Sequence, residues 1–188
     1  MKTIETERLI LRKFKEDDFA DVHSYASCVE NIIYMLWGPN TEEETREFIR
    51  RCIESAEKNP IKIYPYAAEL KSSGKMIGAC ECHIGDSGIC AELGWILHRD
   101  YWNKGYCTEM GTALMNFAFE ELNVRRIIAY CDAENIGSYR VMEKLGMRRE
   151  GLFIESRPGN KLSAEKYDDE MAYAILKSEW EIKKAGGK

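Results

Sequence analysis

The residues with the clearest chemical meaning are Asn103-Lys104-Gly105-Tyr106-Cys107-Thr108, a short turn between two patterned stretches. Before it, Ala91, Leu93, Trp95 and Leu97 recur at period two, the spacing of a strand. After Thr108, apolar side chains at Met110, Ala113, Leu114, Phe117, Ala118 and Leu122 form a helical stripe of about four turns. A strand that enters a glycine turn and then a helix N-terminus gathers free backbone N–H groups, and the helix dipole adds about half a positive charge. The turn is therefore expected to hold an anion, phosphate above all. It is neither a P-loop nor a dinucleotide fingerprint, because GxxxxGK[ST] and GxGxxG are absent from the sequence.

The elements that position this turn can be read on either side of it. Thr6 to Phe14 is expected to be an opening strand. Asp17-Asp18 supplies capping oxygens ahead of an apolar stripe at Phe19, Val22, Ala26 and Val29, and Thr41 with Glu44 forms a capping box before Phe48, Ile49, Cys52, Ile53 and Ala56. Between these helices, Ile32 to Pro39 is too apolar for an ordinary surface loop; it either packs under the helices or lines a substrate pocket. Tyr66 to Leu70, Met76 to Ile84 and Ile89 to Leu97 read as an antiparallel meander. Beyond the central helix, Arg126 to Cys131 is a strand, and Asn135 caps a helix closed by Gly146. Arg148 to Arg157 and Glu170 to Leu176 are the final strands, joined by a loop from Pro158, and Lys183 to Lys188 is expected to be a frayed tail.

Composition narrows the function. With 188 residues, 45% of them hydrophobic, the chain is long enough for a sizeable core, and residues 1–188 are expected to form one domain. A net charge of −5 without a basic run argues against a nucleic-acid-binding surface. No apolar stretch reaches the roughly 18 residues of a membrane span, and the N-terminus lacks the apolar block of a signal peptide, so a cytoplasmic location is expected. The seven cysteines include no CxxC pair and are expected to be reduced and mostly buried. Cys80, Cys82, His83 and Cys90 invite a check as metal ligands; on a strand Cys80 and Cys82 face one side and His83 the other, so no metal site is expected.

Two segments carry a family resemblance. "DYWNKGYCTE" and, downstream, "AENIGSYRVMEKLGMRREG" resemble the two core segments of the GNAT superfamily of N-acetyltransferases, in the branch that contains the ribosomal-protein N-terminal acetyltransferases. In the acetyl-CoA signature [RQ]xxGx[GA], Gly105 matches strictly, while Trp102 and Cys107 depart from the usual residues. The order of elements agrees over essentially the whole chain. The resemblance implies an α/β (α+β) fold, with a mixed, mainly antiparallel sheet of about seven strands flanked by four helices. Its fourth and fifth strands splay apart to receive the pantetheine arm of CoA. Acetyl-CoA is thus the expected cosubstrate and an amine the acceptor, with a homodimer compatible.

The resemblance also assigns residues. The pyrophosphate falls on Asn103, Lys104, Gly105, Tyr106, Cys107 and Thr108, and the backbone of Ile96, Leu97 and His98 meets the pantetheine. Glu92 is the first candidate for a base and Glu81, on the neighbouring strand, the second. Asn135 and Ser138 match the branch motif NxxS and are expected to touch CoA or the reacting centre. Many superfamily members carry a tyrosine seven residues after this asparagine to protonate the leaving thiolate; here Met142 stands there and cannot donate a proton. Ser138, Tyr139 or water takes the task, or the thiolate leaves unaided. No cysteine lies in a Cys/His constellation, so direct transfer is expected. The branch favours a protein α-amino terminus as acceptor, with small amines, polyamines or antibiotics as the alternative; a non-catalytic acyl-CoA-binding module is the third reading.

Overall fold

The computed structural model describes residues 1–162 and 165–186. The elements are β1 (Ile4–Glu5), β2 (Leu9–Arg12), α1 (Phe19–Ala26), α2 (Val29–Ile32), α3 (Glu42–Glu57), β3 (Ile63–Leu70), β4 (Met76–Ile84), β5 (Cys90–Leu97), α4 (Tyr106–Glu120), β6 (Arg126–Asp132), α5 (Ile136–Lys144), β7 (Arg148–Pro158), β8 (Tyr167–Leu176) and α6 (Lys177–Gly186). The strands join one sheet in the order β1-β2-β3-β4-β5-β6-β8-β7. Every neighbouring pair is antiparallel except β5 with β6.

Period-two alternation divides the sheet between two cores. Leu9, Leu11, Cys80, Cys82, Ala91, Leu93, Leu97, Ile127 and Ala129 pack with Met110, Leu114, Phe117 and Ala118 of α4. On the opposite face, Ala67, Met76 and Ala79 lie under Val22, Tyr25 and Ala26 of α1 and Ile49 and Cys52 of α3. The capping box forms as expected: Thr41 Oγ1 accepts from Glu44 N–H at 3.2 Å, and Glu44 Oε2 accepts from Thr41 N–H at 2.9 Å.

Several elements differ from the sequence expectation. The opening strand is a pair, β1 and β2, because Thr6 turns the chain by bonding Leu9 in both directions. Asp18 does not cap α1; its carboxylate takes two bonds from Arg12 and one from Lys15 N–H. The stripe from Phe19 to Val29 breaks in two, since Ser27 Oγ donates back to His23 O and Cys28 is extended before α2. Part of the expected tail is helical as far as Gly186, anchored by Trp180, whose ring lies 5.2 Å from Phe119 and whose Nε1 donates to Asn116. Lys183 to Gly186 are therefore not frayed; Gly187 and Lys188, like Ser163 and Ala164 of the β7–β8 loop, lie outside the described residues.

The β4–β5 ladder depends on one missing side chain. A Cβ on Gly78 would sit 2.3 Å from the carbonyl oxygen of Ile96, so any larger residue must push the strands apart. Gly78→Ala is expected to lower the unfolding free energy by roughly 2–3 kcal/mol. Urea denaturation checks this as a lower midpoint at constant m; an unchanged midpoint would show that the strands separate without cost.

Candidate active site

The parallel pair is short. β5 and β6 are in register only at Cys90–Arg126, Ala91–Ile127 and Glu92–Ile128. β5 continues to Leu97 and β6 to Asp132 without further pairing, so the two strands part after Glu92. This is the splay expected between the fourth and fifth strands, here β5 and β6 because the first strand is split.

Backbone parity decides what faces the gap. In an antiparallel pair, alternate residues direct both N–H and C=O at the partner. Gly85 N–H donates to Cys90 O at 2.9 Å and His98 N–H donates to Ile77 O at 2.8 Å. Even-numbered residues from Cys90 to His98 therefore face β4, and Trp95 and Leu97 turn their backbone groups toward the gap. The Leu97 carbonyl is already occupied, by Asn31 Nδ2 and Trp102 Nε1, both at 2.7 Å. Among the described residues, Trp95 N–H and C=O and Leu97 N–H remain without a strand partner. The N–H and C=O of Ile96 and the N–H of His98 thus face β4, and the His98 carbonyl accepts from Tyr101 N–H at 2.9 Å, so Trp95 and Leu97 rather than Ile96 and His98 turn backbone groups to the gap. The His98 ring instead closes the following turn, its Nδ1 accepting from Asp100 N–H at 3.2 Å.

That turn delivers the chain to α4. Asn103 and Gly105 adopt φ of 59° and 81°, the left-handed region that asparagine tolerates and glycine enters freely. Gly105 is the N-cap, and the first intrahelical bond runs from Glu109 N–H to Gly105 O. The N–H groups of Tyr106, Cys107 and Thr108 precede it and have no intrahelical partner. Lys104 folds away, its Nζ donating to Asp100 O at 2.8 Å, so its side chain is used within the turn. Trp102 ties the turn to β5 through its indole N–H while its ring stays 43% exposed.

The face opposite α4 carries the ionisable groups. Register places Glu81 across from Gly94 and His83 across from Glu92. A Cβ on Gly94 would lie 3.4 Å from Glu81 Oε1, so the glycine leaves that carboxylate room over β5. Glu81 Oε2 is 3.0 Å from His83 Nε2. The Glu81 carboxylate at this distance pushes the His83 pKa up against the opposing effect of burial, and the charge of Glu92 adds to the rise. Burial pushes the Glu92 carboxyl above the ordinary carboxylate range; Glu81 and Glu170 raise it further, against His83. Sequence reasoning weighed His83 only as a metal ligand; its period-two spacing from Glu81 was the signal for this pair.

Across the gap, β6 leads to α5. Asn135 Oδ1 accepts from Ser138 N–H at 3.1 Å, so the asparagine is a helix cap. The Ser138 hydroxyl acts on the Cys131 thiol of β6, lowering its pKa against the larger effect of burial. Met142 is 1% exposed and belongs to the core. Burial pushes the thiols of Cys107 and Cys131 up to about 12 and about 11, which leaves them protonated and poorly nucleophilic at neutral pH. The apolar stretch Ile32 to Pro39 divides: Ile32 is buried, whereas Ile33 and Leu36 are exposed. Arg157 donates to Tyr34 O and Asn160 to Ile32 O, so the end of β7 and the loop after it hold this stretch in place.

A mixed sheet with a splayed parallel pair, opening beside a helix N-terminus, is the architecture of an acyl-CoA-dependent acetyltransferase. A model of the acetyltransferase (GNAT) domain matches residues 8–148. The chain belongs to this family and is an acetyl-CoA-dependent N-acetyltransferase. It is 38% identical over 179 residues to YnaD of Bacillus subtilis (strain 168), an uncharacterised N-acetyltransferase, covering 94% of this chain and 98% of that one. A GNAT-family acetyltransferase from Bacillus anthracis superposes with a TM-score of 0.84 at 36% identity, over 95% of this chain and 100% of that one. RimL, the ribosomal L7/L12 alpha-N-protein acetyltransferase solved with coenzyme A, shares the fold at 20% identity with a TM-score of 0.80, over 93% of this chain and 98% of that one.

Asn31 joins the gap to α2, since its Oδ1 also accepts from Arg99 N–H. Asn31→Ala removes the acceptor of the Arg99 N–H and one of the two donors on the Leu97 carbonyl and is expected to cost about 1 kcal/mol of stability. Amide exchange should rise at Arg99; unchanged protection there would show that the clamp carries no load.

Proposed function

We propose that the enzyme transfers acetyl directly from acetyl-CoA to the α-amino group of a protein N-terminus. The observation that carries this reading is the pair of carboxylates, Glu92 and Glu81, on the face of the opened strand. An α-amine with a pKa of about 8 is roughly a tenth neutral at pH 7, whereas a lysine amine is neutral in far below one part in a hundred. A carboxylate with a raised pKa is a sufficient base for the first and a poor one for the second. The resemblance of the turn and of the Asn135 segment to the ribosomal-protein branch supports the same acceptor.

In this reading Trp95 and Leu97 bond the pantetheine arm, and the N–H groups of Tyr106, Cys107 and Thr108 take the pyrophosphate. Glu92 accepts the ammonium proton, directly or through water, while Glu81, next to His83, attracts the positive charge. The amine nitrogen attacks the thioester carbonyl, the new C–N bond forms, and the C–S bond breaks as the thiolate leaves. The nitrogen sheds its second proton as the amide forms, and Ser138 or water relays that proton to the thiolate, since Met142 has no proton to give. Direct transfer agrees with the protonated state of Cys107 and Cys131. A second reading, a small polyamine as acceptor, is favoured by Glu170, a third carboxylate whose charge reaches Glu92.

Glu92→Gln is expected to lower kcat by about 100-fold while the Kd for acetyl-CoA stays unchanged. Because the base works ionised and its pKa is raised, kcat/KM of the wild type should fall on acidification at a pH above that of an ordinary glutamate, and the variant should lose this limb. An intact acid limb in the variant would remove Glu92 as base. Free-thiol release from acetyl-CoA, followed against peptides with different N-termini, lysine peptides and polyamines, identifies the acceptor. Release confined to polyamines would overturn the α-amine reading.

A further inference from the structure

Arg8, at the entry to β2, makes an unusual number of contacts for a partly exposed arginine. Its Nε and Nη2 both lie 2.7 Å from Glu109 Oε2, and its backbone N–H donates to Glu109 Oε1 at 2.8 Å. Its Nη1 donates to the carbonyl of Lys104 at 2.9 Å. The guanidinium carbon stands 4.3 Å from the centre of the Tyr106 ring, and a Cβ on Gly105 would lie 3.4 Å from Nη2. One side chain thus touches the residue before the left-handed glycine, the first residue of α4 and the carboxylate of its first turn.

That carboxylate poses an electrostatic problem. Glu109 adds a negative charge to the end of α4 whose N–H groups are free, and its side chain is only 15% exposed, so water screens it poorly. Left unpaired, it would compete with any anionic ligand for the positive end of the dipole. Burial raises the Glu109 pKa, but the bonds from Thr6 and Arg8 outweigh burial and hold it below the usual range, so the charge is fully present at neutral pH.

We infer that Arg8 is a positioning residue for the acyl donor: it neutralises Glu109 and fixes the Lys104 carbonyl, which keeps the α4 N-terminus receptive to phosphate. The inference rests on the reading that this turn takes the CoA pyrophosphate. Arg8 acts through Glu109 and the turn, so both its charge and its forked geometry count.

The test is calorimetric titration of the apo protein with CoA, alongside thermal denaturation without ligand to confirm folding. Arg8→Ala should weaken CoA binding about tenfold. Removing the unmasked charge as well, in Arg8→Ala/Glu109→Gln, should restore affinity to within about threefold of wild type, and Glu109→Gln alone should bind at least as tightly as wild type. Arg8→Lys, which keeps the charge without the fork, should fall between wild type and Arg8→Ala. Wild-type affinity in a folded Arg8→Ala, or a double variant as weak as the single, overturns the masking role. Gly105→Val separates this from failure of the site itself: if it too binds CoA normally, the turn is not the phosphate site. If it alone loses binding, the turn stands and only the role of Arg8 falls.

Discussion

The structure depends on where one ladder of hydrogen bonds stops. β5 and β6 are held together for three residue pairs and no further. Up to Glu92 the sheet is continuous; beyond it, each strand carries backbone groups with no strand to bond. A buried amide without a partner is costly, so an edge of this kind calls for a ligand or solvent. The antiparallel partners of both strands remain fully engaged, β4 on one side and β8 on the other, so the gap opens without loosening the sheet that frames it. Gly78 and Gly94 belong to the same arrangement. The first lets β4 approach β5 closely enough to hold it, and the second leaves space over β5 for a carboxylate.

The two ends of the gap are tied down by long-range contacts. Asn31 and Trp102 converge on the Leu97 carbonyl from opposite directions in sequence, which fixes the point where the strand becomes a turn. Arg8 then fixes the point where the turn becomes a helix. Between these anchors only a few residues remain to be ordered, and two of them, Asn103 and Gly105, already occupy the left-handed conformation that the turn requires. Order of this kind lowers the entropic cost of binding a flexible molecule such as CoA.

Much of this was legible from local signals. The Thr41–Glu44 box, the cap at Asn135, the glycine turn at Gly105 and the alternation from Ala91 to Leu97 involve residues within a few positions of each other, and each formed as read. What escaped depended on register or on distance along the chain. Whether Ile96 or Leu97 faces the gap cannot be read from β5 alone; it follows from the hydrogen bonds that Cys90 and His98 make to β4 and the turn before it. Asn31 reaches a carbonyl 66 residues away, and nothing near it in sequence marks that role. The spacing of His83 from Glu81 is local, but its place opposite Glu92 depends on the register of two strands. The last helix has a single aromatic anchor, Trp180, which is too little periodicity to distinguish a docked helix from a tail.

The opened strand also separates two kinds of recognition. Along its edge the available groups are main-chain N–H and C=O, which every residue except proline supplies alike. Over its open face they are the side chains of Glu81, His83 and Glu92, which single codon changes can replace one at a time. In the proposed reading, acyl-donor binding along that edge is insulated from most substitution, whereas the acceptor side stays open to revision. A protein built this way can acquire a new acceptor by successive point changes without passing through a form that has lost its donor, and the geometry of one strand is enough to make that history accessible.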